Sequence, residues 1–317
     1  MVDLIKANKS YILIACVLIF VNSSLFWFNK TQVPQEFFYY PWLIGKGHII
    51  YKDFFHNHGP LLYYLLAPLI FSDGPFTPFK IFYTLIQSAN LILILIIIKK
   101  FSNITSYIIG GLIFLILNFY FSYHYFWDEQ IIATFYLLIY YLLNSKEFKL
   151  KSICIGVLIG LASLIKPNAL VIVIPVLFFY KNKSFLLYPI AIWSIFGLYF
   201  FLQNGLSQFI DNFIAFNFHY QSYALQHYPY LSAIKSNWFF LNSHFLIVIF
   251  IFAIHALNKK NINIKLLIFL LITTLFMYPI IGEDRFAPFT SFLAIFVYFL
   301  YKLENHHLYN KDCSLFL

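Results

Sequence analysis

Charge is scarce in this sequence. Only 10% of its 317 residues are Asp, Glu, Lys or Arg, and 62% are hydrophobic. A soluble domain carries about 25% charge, so this chain cannot build an ordinary globular surface. Arginine is almost absent: Arg285 stands beside twenty lysines. Most of those lysines fall in short clusters between apolar runs, as cytoplasmic loops do. The formal charge of +9 therefore does not point to a nucleic acid. Cysteine is rare too. Cys16, Cys154 and Cys313 are scattered and none pairs as CxxC, which excludes a disulfide framework and a metal knuckle. Alternating apolar and polar segments of about ten residues are missing, which argues against a β-barrel. There is no internal repeat, no low-complexity tract and no soluble appended domain.

What is present is a series of long apolar runs, many near the ~20 residues needed to cross a bilayer. In hydrocarbon such runs must be helical. The expectation is all-α: one polytopic transmembrane bundle over 1–317 with about ten spans. They lie near 11–28, 77–98, 105–124, 129–144, 152–165, 168–180, 185–203, 239–257, 265–281 and 287–302. The first run is longer than a signal-peptide core and reads as a retained helix. The pair around Lys166-Pro167-Asn168 reads either as two spans or as a kinked re-entrant pair.

Lysine placement orients the bundle. With the N-terminus cytoplasmic, fourteen of the twenty-one basic residues fall on the cytoplasmic side. Seven fall outside: Lys30, Lys46, Lys52, Lys80, Lys166, Lys235 and Arg285. The acids show the reverse bias, with eight of twelve outside. Converging carboxylates on a functional outer face would produce that bias, and so would longer outer loops that collect polar residues. The expected location is the cell membrane, with both termini cytoplasmic and any active site periplasmic or extracellular. Two outer loops are long, 29–76 and 204–238. Within the first, the apolar stretch 60–71 is too short to span and reads as a juxtamembrane helix.

That first loop holds the chemistry-bearing residues. Gln35-Glu36 follows the first span. A Gly45-Lys46-Gly47 turn, Tyr51-Lys52-Asp53, His56-Asn57-His58 and the helix-opening Pro60-Leu61 come after it. Charged groups beside hydrocarbon are costly and are usually functional or paired. Further on are Trp127-Asp128-Glu129, a Gly156-x-x-x-Gly160 span ending in Lys166-Pro167, and Arg285-Phe286-Ala287-Pro288. Each has a plainer reading. His56 and His58 serve as loop residues, Asp128 and Glu129 as acids at a helix N-terminus, Glu283-Asp284-Arg285 as a local ion pair, and Lys166-Pro167 as a turn.

Taken together, these pieces resemble the GT-C superfamily of polytopic glycosyltransferases. That group includes protein O-mannosyltransferases, aminoarabinose transferases and family-39-like bacterial enzymes. The matching features are Glu36, Gly47 with Tyr51 and Asp53, Pro60-Leu61, Lys80, Asp128-Glu129, Lys166-Pro167 and Arg285. Their order and spacing cover most of the chain. One departure is Gln35-Glu36 where many relatives carry Asp-Glu. Either Glu36 takes the acid's role or the chain is a catalytically inactive relative.

The resemblance implies transfer of a sugar from a polyprenyl-phosphate donor to a glycan, lipid or protein acceptor. Such a reaction needs a base for the acceptor hydroxyl and positive charge for the departing phosphate. Glu36, Asp53 and Asp128 are the candidate catalytic acids. Arg285, Lys166 and Lys80 are the candidates for the donor phosphate, Arg285 with bidentate geometry. A divalent metal (Mg, Mn or Zn) would be held by Asp53, Asp128 and His58. Gln35, Tyr51, His56 and Glu129 complete the candidate site. The competing function is a transporter or flippase of lipid-linked sugars, which should show inverted repeats and charge at mid-span.

Overall fold

The computed structural model describes residues 2–28, 33–56, 58–70, 76–99, 104–121, 126, 128–216, 219, 264–276, 288 and 291–295. Their regular secondary structure is helical, with one isolated bridge between Ile50 and Phe54. In chain order the helices are α1 (Val2–Phe28), α2 (Glu36–Gly45), α3 (Pro60–Leu66), α4 (Phe76–Lys99), α5 (Ile104–Phe121), α6 (Glu129–Leu143), α7 (Lys151–Ile165), α8 (Val173–Phe179) and α9 (Leu187–Leu202). A short helix, Leu206–Phe209, runs into a π-helical turn, and a further helix covers Ile264–Phe276.

Among the described residues, three helices are long and apolar enough to cross a membrane: Lys9–Phe28, Phe76–Lys99 and Lys183–Leu202. The chain is a membrane protein on that ground. Shorter apolar helices occupy the expected spans at 105–124, 129–144, 152–165 and 168–180, and most of that at 265–281. The span expected at 239–257 lies outside the described residues, as does most of that at 287–302.

Half of the spanning window of α4 is buried, against 17% for Lys9–Phe28 and for Lys183–Leu202. α4 is therefore the central staff, packed on α1, α5 and α6, while α7 bridges α6 to α9. The outer faces of α1 and α9 present Phe20, Phe28, Leu187, Ile190, Phe201 and Leu202. Such surface suits lipid rather than water.

Small residues set the closest approach. A Cβ on Gly156 would meet the Phe185 carbonyl at 2.3 Å, and one on Gly160 would meet Ile192 at 2.8 Å. This is the small-xxx-small packing of membrane helices. A polar ladder ties the centre. Asn118 Nδ2 donates to Gln87 Oε1 (2.7 Å), Asn90 Nδ2 to the Gln130 carbonyl (3.0 Å), and Thr134 to Asn90 Oδ1 (2.7 Å).

Candidate functional site

The first loop is built to stay where it is. Two residues past the end of α2, Gly47 takes φ +92°. The amides of Gly47 and His48 then close back on the carbonyls of Ile44 and Leu43, a glycine-terminated helix end. Pro60 opens α3, where its missing N–H costs nothing. Between them Tyr51 takes φ +72°, a left-handed conformation that a bulky side chain rarely adopts. Tyr51 is held there from both ends. Phe200, Phe209 and Phe213 surround its ring, and its hydroxyl donates to the His58 carbonyl at 2.6 Å.

Gly59 then locks the loop onto α7. Its amide donates to the Ile165 carbonyl at 3.0 Å. A Cβ there would sit 1.8 Å from the Leu164 carbonyl oxygen, so only glycine fits. α7 stops at the next residue because Pro167 disfavours helical backbone at Lys166. Lys166 is extended (φ −148°, ψ 123°). Its turn is pinned from below by the Tyr136 hydroxyl, which donates to the Ala169 carbonyl at 2.9 Å.

This geometry produces a buried ionic cluster. Asp128 and Glu129 are both 0% exposed. Lys166 Nζ lies 3.3 Å from Asp128 Oδ1 and also donates to Glu129 Oε1. His58 Nδ1 faces Asp128 Oδ2 at 3.8 Å, beyond a hydrogen bond but within reach of charge. Asp128 makes no side-chain cap on α6, so the plain capping role does not describe it. Burial alone would raise the Asp128 carboxyl. The Lys166 ammonium first, and then the His58 ring, outweigh that and hold it well below the usual carboxylate range.

His56 is buried beside the cluster. Its Nδ1 accepts the His58 amide at 2.9 Å, which places the neutral ring's proton on Nε2. Its ring packs on Tyr40 (4.3 Å) and Tyr63 (4.5 Å). Glu36 opens α2, half-buried, and its charge acts on both Tyr40 and Tyr63. Gln35 is exposed and its side chain caps nothing.

No family model, curated protein or solved structure matches this chain. The site must therefore be judged on its own residues. The structure brings His56, His58, Asp128, Glu129 and Lys166 together, with Glu36 nearby and Tyr51 as a backbone strut.

The other candidates stand apart from this group or are engaged within it. Asp53 accepts the Ile49 amide at 2.7 Å and faces His48 at 3.9 Å within its own exposed turn. Among the described residues no three of His, Cys, Asp and Glu are arranged to hold a metal ion. Of the expected set, His58 faces Asp128 at the cluster while Asp53 is bonded within its own turn. Lys80, a candidate for phosphate, donates to the Trp27 carbonyl (3.1 Å) and lies over the Trp27 and Phe76 rings (5.5 and 5.0 Å). Lys166, the other such lysine, is engaged by the two acids. Arg285, with Glu283 and Asp284, lies outside the described residues. Sequence reasoning passed over Tyr40 and Tyr63. The available signal was a pair of tyrosines in segments too short to span.

Proposed function

We propose that the chain is a glycosyltransferase of GT-C type. It moves a sugar from a polyprenyl-phosphate donor to an acceptor hydroxyl at the outer face of the cell membrane. The supporting observation is the docking of the first loop through Gly59 onto the end of α7. That contact sets His58, Tyr63 and Glu36 around the buried Asp128–Glu129–Lys166 cluster. A connecting loop needs no such assembly, and ionisable groups beside a membrane are functional by default.

The proposed topology is the ten-span bundle with both termini cytoplasmic. α6 and α7 have 15 residues each, about 22 Å at 1.5 Å per residue. The hydrocarbon core is about 30 Å thick. The cluster at their outer ends is thus recessed, at the depth where a lipid-borne phosphate meets a water-borne acceptor. Glu36 takes the acceptor's proton as that oxygen bonds to the sugar's anomeric carbon. The bond from that carbon to the phosphate oxygen breaks, and the phosphate leaves with the electron pair. Lys166 keeps Asp128 and Glu129 in place. Arg285, as a guanidinium, meets the departing charge.

The test is reconstitution in liposomes with polyprenyl-phosphate sugars. Glu36→Gln should lower transfer by about 10²- to 10⁴-fold, the usual worth of a positioned base, with the unfolding temperature unchanged. Full turnover in that variant removes Glu36 from the mechanism. A folded wild type that transfers from no such donor points instead to a transporter of lipid-linked sugars or an inactive relative.

A further inference from the structure

Tyr63 is fully buried, yet its hydroxyl has no hydrogen-bond partner among the described residues. Buried tyrosine hydroxyls usually find one. The ring cannot swing out to find it. Phe37, Tyr40 and His56 pack around it, with ring centroids at 6.2, 5.9 and 4.5 Å. The Pro60 start and the Gly59 contact also fix the helix that carries it. Burial first, then the nearby charges of Glu36 and Asp128, push its ionisation well above the usual phenol value. At any physiological pH the group is a proton donor that feels the charge of two acids.

Those acids decide what it can receive. A phosphate oxygen would accept from the phenol but be repelled by both carboxylates. A cation would be drawn to the carboxylates but would meet the phenol's hydrogen. A neutral hydroxyl suits the place, because it accepts from the phenol and donates its one proton to a carboxylate. The walls are aromatic: Tyr40 stacks on Phe54 at 5.2 Å and meets His56 edge-on. Aromatic walls with a few fixed polar groups are the usual make-up of a small-molecule site, and they suit the C–H face of a sugar.

We infer that Tyr63 belongs to the acceptor subsite. Its hydroxyl donates to a hydroxyl oxygen of a polyhydroxylated substrate, whose own proton points to Glu36. This rests on the transferase reading and names which substrate that part of the site holds. Tyr63 binds and orients the hydroxyl, and Glu36 takes its proton.

The variant is Tyr63→Phe in the full chain in lipid nanodiscs, which removes one oxygen atom. An unpartnered hydroxyl contributes nothing to the fold, so the unfolding temperature should hold or rise. The probes are methyl hexosides and methyl pentosides, measured by calorimetry, with inorganic phosphate as the comparison. At least one glycoside should bind the wild type and bind Tyr63→Phe about three- to tenfold more weakly, the worth of one neutral hydrogen bond. Phosphate binding should not change. In the transfer assay the acceptor KM should rise by the same factor while the donor KM stays fixed.

The inference falls if no glycoside binds, if the variant binds as well as wild type, if phosphate is the ligand lost, or if the variant unfolds at lower temperature. It separates from the transferase reading in both directions. Transfer untouched by Tyr63→Phe overturns the role of Tyr63 alone. Glycoside binding that needs Tyr63, in a chain that transfers nothing, supports it and overturns the transferase.

Discussion

Replacing Lys166 with methionine keeps the volume of the side chain and deletes its charge. The ammonium lies 3.3 Å from Asp128 Oδ1 and also binds Glu129, and both acids are 0% exposed. At an effective dielectric of about 20, one unit pair at that distance attracts by about 5 kcal/mol. The cell of charges will not lose that much, because one carboxylate can take up a proton at 1.36 kcal/mol per pH unit. Removing one partner of a buried pair costs about 3–5 kcal/mol in practice. Lys166→Met should therefore lower unfolding stability in detergent by about 3–5 kcal/mol. The triple variant Asp128→Asn, Glu129→Gln, Lys166→Met removes all three charges of the bridge. It should recover most of the loss, since neutral replacement of buried ions is often harmless. Chemical denaturation of the two variants beside wild type reads both quantities. A single variant within about 0.5 kcal/mol of wild type, the range of ordinary surface changes, would refute the buried bridge, as would a triple variant no better than the single.

Gly59→Ala should be costly for a residue so small. Its Cβ would lie 1.8 Å from the Leu164 carbonyl oxygen and 2.5 Å from that of Ile165, and backbone cannot yield as a side chain can. Overpacking costs about 1–3 kcal/mol, and denaturation should show it together with weaker activity as His58 leaves Asp128. The pH response of Asp128 follows from its lowered ionisation in the fold. Stability from such a group is complete above its unfolded value of about 3.9 and is lost only as pH falls below it. The gap in stability between wild type and Asp128→Asn should not shrink between pH 8 and pH 5, where protonation of a histidine beside the carboxylate can only widen it, and should shrink below about pH 4. A gap that already shrinks between pH 8 and pH 6 would show that Asp128 is not held ionised.

Local features were legible in the sequence because their causes are local. Pro60 opens a helix, Gly47 closes one, and Pro167 drives Lys166 out of the helical region. The short helix expected within 60–71 follows from the Pro60 signal and is present as α3, while α2 falls in a stretch read only for its motifs. Partner choice was not legible, because it depends on contacts between residues far apart in the chain. Lys166 reads as a lysine available to a phosphate until a turn 38 residues from Asp128 brings them together. Gly59 reads as a loop breaker, and its reason is a carbonyl on α7. Asp53 and Asp128 look alike as letters. One is exposed in its own turn and the other is sealed beneath the loop. Tyr63 was hidden by its apolar neighbours, which set the character of the whole stretch. The polar ladder of Gln87, Asn90 and Asn118 was masked in the same way by the leucines and isoleucines around it.

The hairpin of α6 and α7 is closed at both ends: by the short 144–150 connection at one, and by the Lys166 bridge to Asp128 and Glu129 at the other. On the orientation proposed above, that second end must be carried across the bilayer when the chain is made. Charges are expensive to move through hydrocarbon. A hairpin that inserts as a unit takes both acids and their counter-ion together, so a net charge of one crosses where three separate charges would. The bridge that holds the finished site is then also a passport for its assembly. Cells making Lys166→Met would be short of inserted protein before any question of its stability arose.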